Sequence, residues 1–218
     1  MLYWILRPLM YAFYKVFYRV KVIGKENLIK KGKCIVACNH LGKADVLVVG
    51  ALYPDKTIFM SKKEWYENKF FGWLLKKLGS IPLDRDNPSL TSIRDAIKVL
   101  KDNKRLGIFP EGRRNFETND LQEIKQGTTM FAVKGKAVIT PVIIYDRLKM
   151  FKQNYVIVGK PIDFSAYYDK RFTDEVSSEC TKILADAMKD LQQELFKIVD
   201  DIKNKKLNNK AKNGSSTL

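Results

Sequence analysis

The sequence predicts an α/β domain with a single central sheet of about seven strands, mostly parallel or mixed, flanked by helices and preceded by an amphipathic N-terminal helix. Three observations predict it. Short apolar runs rich in Val and Ile recur along the chain, bounded by Gly, Pro, Lys or Asp. Stretches with apolar residues at helical spacing lie between them. Such alternation packs helices on the faces of one sheet. The 218 residues make one ordinary domain, long enough to bury a core without disulfides or metals.

Residues 1–19 come first. Arg7, Tyr11, Lys15 and Arg19 recur every fourth residue with Tyr14 and Tyr18 beside them, which makes one narrow polar stripe on a helix. The remaining face holds Leu6, Met10, Val16 and Val20 together with Trp4, Leu9, Phe13 and Phe17, the expected anchor side chains. A basic stripe, aromatic flanks and a wide apolar face suit a helix lying in the bilayer interface. A secretory signal would carry its charge before the apolar stretch and a small-residue cleavage site after it, and the segment has neither. Three charges and Pro8 interrupt the run that a spanning helix needs. A core helix, or one docked on a partner, is the alternative reading.

Strands are then predicted at 20–23, 34–38, 57–60, 80–83, 106–109, 138–144 and 155–158. Helices are predicted at 44–52, 64–78, 89–101, 127–134 and 173–203, the third with Asn87 as cap and Pro88 at its first position. The main domain therefore runs over 20–203. Residues 204–218, Lys and Asn interleaved and then Gly-Ser-Ser-Thr-Leu, read as a basic disordered tail. The odd set Cys34, Cys38 and Cys180 fits neither a zinc site nor a disulfide framework, so buried free thiols are expected. The net charge of +16 attracts polyanions: nucleic acid, anionic lipid or an acidic carrier protein.

In α/β folds functional residues gather at strand ends. His40, the only histidine, follows the run 34–38, and Asp45 comes five residues later as the next helical pattern starts. A turn there folds the carboxylate onto one imidazole nitrogen, sets the tautomer and raises the basicity of the other. That nitrogen can act as general base toward a hydroxyl, a Ser-His-Asp arrangement whose hydroxyl belongs to the substrate. Taken alone, the pair also fits a capping aspartate beside a structural histidine. Basic groups follow at Arg85, in Phe109-Pro110-Glu111-Gly112-Arg113-Arg114, and at Lys125-Gln126-Gly127. The planar fork of arginine suits phosphate, Gly112 admits close approach of a ligand, and Glu111 can hold an arginine or accept from a substrate hydroxyl. Singly, Arg85 between Asp84 and Asp86 fits a surface ion pair and Pro-Glu-Gly an ordinary turn. In Thr140-Pro141-Val142 a proline inside an apolar run predicts an edge, a bulge or an approach to the site.

Asn39-His40 with Asp45, Gly79-Ser80-Ile81-Pro82-Leu83-Asp84-Arg85, the 109–114 segment and Thr140-Pro141-Val142 resemble, in order, the four motifs of the 1-acylglycerol-3-phosphate acyltransferase family. Phe59-Met60-Ser61-Lys62-Lys63-Glu64, followed by Phe70-Phe71-Gly72-Trp73, is similar too, and the match covers roughly residues 20–160. One departure is Arg113, where the family has threonine. The resemblance implies transfer of a fatty acyl group from acyl-CoA or acyl carrier protein to the 2-hydroxyl of lysophosphatidic acid, giving phosphatidic acid. In that reading His40 is the base and Asp45 orients it. Arg85, Glu111, Gly112 and Arg114, with Lys62 and Lys125, form the phosphate site, and Lys62 can also steady an oxyanion. The thioester is already activated, so neither cofactor nor metal is expected. The expected partners are membrane lipid and the acyl carrier, at the cytoplasmic face of the cell membrane. Glycerol 3-phosphate, dihydroxyacetone phosphate or a lysophospholipid is the alternative acceptor. A nucleic-acid or anionic-membrane binding protein would explain the charge but not the polar clusters, and no nucleic-acid motif is recognisable.

Overall fold

The computed structural model describes residues 2–84 and 87–214, apart from the side chains of 2, 4, 6 and 210–214. Its sheet has seven strands: β1 (Val20–Ile23), β2 (Cys34–Cys38), β3 (Thr57–Lys62), β4 (Ile81–Leu83), β5 (Arg105–Ile108), β6 (Ile139–Ile144) and β7 (Asn154–Val158). They lie in the order β1-β7-β6-β2-β5-β3-β4. All the expected strands are there, with small shifts at their ends. The ladders from β6 through β2, β5 and β3 to β4 are parallel, β7 runs antiparallel to β6, and β1 runs with β7. The carboxyl ends of β2 to β6 therefore share one edge, where such sheets carry their sites.

β2 shows why the sheet is layered. All five of its residues are buried, as an apolar run covered on both faces must be. Ile35 and Ala37 join the core under α4 (Leu90–Lys101), α5 (Gly127–Gly135) and α6 (Asp174–Gly214). Cys34, Val36 and Cys38 join the core under α2 (Asp45–Leu52). The three cysteines are buried and free, as expected.

Several local expectations are corrected. β6 lies between β2 and β7, so Pro141 is not on an edge. Its missing N–H falls where β7 leaves the ladder: pairing covers Val142 to Ile144, breaks at 159–161, and resumes as the bridge Ile139↔Ile162. Gly159 N–H donates to the Pro141 carbonyl at 2.9 Å, so of the three alternatives the structure has the bulge. The helix expected over 64–78 is a 3-10 turn, Lys63–Tyr66, and then α3 (Lys69–Lys77). Asn68 divides them, its side chain accepting from the amides of Phe70 and Phe71. Ser89, rather than Asn87, caps α4, with its hydroxyl 3.1 Å from the Ser92 amide. The expected tail is helical as far as Gly214, because Lys, Leu, Ala and Asn run without Gly or Pro up to that point; residues 215–218 lie outside the described residues.

The N-terminal helix is present, but its faces differ from the expected stripe. α1 (Leu2–Ala12) runs into a π-helical turn, Phe13–Phe17, which shifts the register so that every fourth residue no longer lies on one line. The Tyr3 hydroxyl donates to the Asp55 carbonyl at 3.3 Å and Arg7 to that of Tyr53 at 3.4 Å. Tyr14 is buried. Tyr3 and Arg7 lie against the α2 layer and carry their polar tips to carbonyls. Ile5, Leu9 and Val16 point outward, at 63%, 66% and 63% exposure. Of the expected anchors, Leu9 is open. Phe13 and Phe17 are half-buried with rings 4.8 Å apart, Phe17 also meeting Phe151 at 5.6 Å. The side chain of Trp4 lies outside the described residues. Among the described residues no helix is long and apolar enough to cross a membrane.

Candidate active site

The site is assembled from the ends of three strands. Asn39, just past β2, is clamped to the end of β6: its side-chain oxygen accepts from the Ile144 amide at 2.8 Å and its amide donates to the Ile144 carbonyl at 3.0 Å. The backbone of His40 is held from both sides by the loop after β5. Its N–H donates to Glu111 Oε1 at 3.0 Å, and its carbonyl accepts from the Asn115 amide at 2.7 Å.

The imidazole stacks on Phe109, centroids 3.9 Å apart at 18°, and Phe109 faces Phe59 at 6.0 Å and 16°. Gly107 on β5 makes room for this column, since a Cβ there would lie 2.4 Å from the Phe59 ring. His40 Nδ1 is 2.9 Å from Asp45 Oδ2, which also accepts from the amides of Leu41 and Gly42, each at 2.7 Å. Asp45 is fully buried at the start of α2, and these donors offset the cost of burying its carboxylate. The five-residue spacing is thus a turn wrapped around one oxygen. An oxygen already accepting two amide hydrogens takes the third from Nδ1–H, so Nε2 carries the lone pair.

Glu111 departs from expectation. The sequence reading put it among the phosphate ligands, but it is buried and turned inward, with Oε1 on the His40 amide and Oε2 without a hydrogen bond. Gly112 is the reason: its left-handed φ of 71° reverses the chain and aims Glu111 at the β2 loop. Burial pushes the Glu111 carboxyl up to about 7, against the His40 amide that donates to its Oε1.

Two of the basic residues gather beside the histidine loop, and Arg113, Lys125 and Lys62 stand apart. Arg114 lies over the Phe116 ring at 5.3 Å, and Arg147, from the loop after β6, lies over the same ring at 6.0 Å. Arg147 also donates to the Asn115 carbonyl at 3.4 Å, so both arginines gather beside the residue that holds His40. Sequence reasoning missed Arg147 and Asn115, because both stand in irregular loops without a periodic or spacing signal. Arg113 is exposed and donates to Gln122 at 3.2 Å. Lys125 donates its amide to the Pro110 carbonyl at 2.8 Å and its amine to Glu123 at 2.7 Å. Lys62 ends β3, two strands from β2, and pairs with Glu64 at 2.8 Å instead of meeting the histidine loop. Arg85 lies outside the described residues; β4, which leads to it, ends on the same edge. A cavity of about 480 Å³, lined mainly by apolar side chains such as Met60, Ile108, Met130 and Phe131, opens beside Gly112 and shares Phe109 with the histidine stack.

An α/β sheet carrying these groups at its carboxyl edge has the form of an enzyme domain with a histidine–carboxylate pair as its base. The acyltransferase family model matches residues 19–145, and the chain belongs to that family. Over 185 residues it is 35% identical to the 1-acyl-sn-glycerol-3-phosphate acyltransferase of Bacillus subtilis, covering 81% of this chain and 89% of that one. It is 41% identical over 142 residues to the enzyme of that name from Streptococcus pneumoniae, covering 60% of this chain and 49% of that one. The crystal structure of the 1-acyl-sn-glycerophosphate (LPA) acyltransferase from Thermotoga maritima superposes with a TM-score of 0.61 at 21% identity, over 82% of this chain and 71% of that one, so the fold is shared.

Proposed function

We propose that the chain transfers a fatty acyl group from an acyl thioester to the 2-hydroxyl of 1-acyl-sn-glycerol 3-phosphate, giving phosphatidic acid at the cytoplasmic face of the cell membrane. The His40–Asp45 pair carries the proposal. One ring nitrogen is committed to a buried carboxylate and the other is free, and no serine, threonine or cysteine among the described residues bonds to the ring. Such a base needs its hydroxyl from the substrate.

Nε2 takes the hydroxyl proton as the oxygen attacks the thioester carbonyl carbon. The C–O bond forms, the tetrahedral adduct collapses with loss of the C–S bond, and the proton passes from His40 to the departing thiolate. Asp45 keeps the tautomer and faces the imidazolium while it lasts. Arg114, with Arg147 beside the same Phe116 ring, and Arg85 and Lys125 offer forks and charge to the acceptor phosphate. The apolar cavity beyond Phe109 suits a hydrocarbon chain. The donor is acyl-CoA or acyl carrier protein, and the charge of +16 favours both an acidic carrier and anionic lipid. The thioester supplies its own activation, so the reaction calls for no cofactor or metal. The outward Ile5 and Leu9 of α1 and Val16 of the π-helical turn after it support a monotopic attachment.

A donor-by-acceptor activity matrix on the wild type and His40→Ala tests the reading. 1-Acyl-sn-glycerol 3-phosphate is expected to exceed glycerol 3-phosphate, dihydroxyacetone phosphate and lysophosphatidylcholine as acceptor. Preference for a monoacylglycerol, added to the matrix as the phosphate-free acceptor, would defeat the arginine assignment, and turnover retained in the variant would defeat the base.

A further inference from the structure

α3 is a helix with its apolar side turned out. Of its nine residues only Gly72 is buried, pressed against the Tyr66 backbone. Trp65, Phe70, Phe71 and Trp73 are 44%, 65%, 49% and 51% exposed. Their rings meet one another, Trp65 to Phe71 at 6.3 Å, Phe70 to Phe71 at 5.7 Å and Phe70 to Trp73 at 6.4 Å. Contiguous apolar surface of this kind marks a binding face. Lysines frame it: Lys62, Lys63, Lys69, Lys76 and Lys77 stand exposed around the patch, against Glu64 and Glu67. The Asn68 cap holds the helix in place without a partner. The patch begins where β3 ends, on the edge of the sheet that carries His40.

We infer that Trp65, Phe70, Phe71 and Trp73 form a second membrane-docking surface, distinct from α1, whose occupant is the headgroup–acyl boundary of a bilayer containing anionic lipid. Tryptophan and phenylalanine rings settle at that boundary, and the lysines lay their stems on apolar surface while their amines meet lipid phosphates. A second copy of the chain is disfavoured as occupant, because it would set one ring of lysines against another. Two separated contacts fix the orientation of the molecule as well as its attachment. The surface is independent of the reaction proposed above, and its test reads binding alone.

The full-length chain carrying Trp4→Phe keeps Trp65 and Trp73 as its only tryptophans. Vesicles of phosphatidylcholine and phosphatidylglycerol, brominated on their acyl chains, are then added. The emission is expected to shift to the blue and to be quenched. In the otherwise natural chain, Phe70→Ser, Phe71→Ser and Trp73→Ser combined should weaken vesicle binding roughly tenfold or more with Tm unchanged. Lys69→Glu, Lys76→Glu and Lys77→Glu combined should erase the preference for phosphatidylglycerol over pure phosphatidylcholine. Vesicle-bound protein with unquenched emission, a serine variant that binds like the natural chain, or no vesicle binding at all would overturn the inference. A solution dimer dissociated by the serine changes would overturn it in favour of a second copy.

Discussion

The backbone of His40 is held on both sides independently of its ring, so the loops stay joined when the side chain is removed, although buried Asp45 then loses one of its three donors and Phe109 its stacking partner. His40→Ala should lower kcat by about 10²–10⁴-fold with a lowered Tm but a folded protein, and comparable kcat values for variant and wild type would remove the base from the mechanism. Glu111 makes a prediction about pH. Its folded value of about 7 lies above the ordinary 4.5, so between those values the folded protein keeps a proton that the unfolded chain has released. Its contribution to stability is therefore full below 4.5 and is lost as pH rises toward 7. Glu111→Gln cannot ionise yet keeps an oxygen for the His40 amide. Its Tm relative to wild type should rise as the buffer goes from about pH 5 to about pH 8, and a constant difference would refute the effect of burial. Because Glu111 acts through His40, the glutamine variant should keep more kcat than Glu111→Ala, with the acceptor KM unmoved. A raised KM in either variant would restore Glu111 to the acceptor site. The spacing of His40 and Asp45 was legible because a turn of that length closes locally. The contact of Glu111 with His40 was not, because it depends on the φ of Gly112 and on loops brought together from β2 and β5.

Among the elements, β5 leaves the room on which the aromatic column behind His40 depends. Gly107→Ala would put a Cβ 2.4 Å from the Phe59 ring, and Phe59 supports Phe109, on which His40 lies. The substitution should cost about 1–3 kcal/mol and reduce kcat as well, seen as a lowered calorimetric Tm together with slower turnover; normal values of both would mean that the aromatic column gives way freely. Strands and helices were legible here because a parallel strand covered on both faces reads as an unbroken apolar run, as 34–38 does. The start of α4 and the division at Asn68 were less so, since neighbouring Asn, Pro and Ser residues all carry cap chemistry and the turn geometry chooses among them. Pro141 was ambiguous for a similar reason: a missing N–H is tolerated at an edge or a bulge alike, and only the path of β7 decides.

For the whole molecule, a deletion cannot separate the packing of α1 on the domain from the membrane attachment proposed for it. Removing residues 1–19 takes away the outward Leu9 and also the buried Tyr3 and Tyr14, so it should lower Tm as well as release the protein from membranes. Leu9→Glu isolates the first effect: it should weaken flotation with vesicles while Tm holds, and undiminished flotation would move the attachment off α1. The basic charge was plain from composition, whereas the register of the residues beyond α1 depends on the π turn after Ala12, which no periodicity announces. The pairing of β1 with β7 has a consequence for biosynthesis. Val20 meets Asn154, more than a hundred residues downstream, and β1 has no other neighbour in the sheet. At translation speeds of about 5–20 residues per second, β1 leaves the ribosome on the order of ten seconds before its partner, an open template for mispairing throughout that interval. β1 is therefore expected to be secured only once β7 is in place, and late amide protection of β1 in pulsed hydrogen exchange would record it.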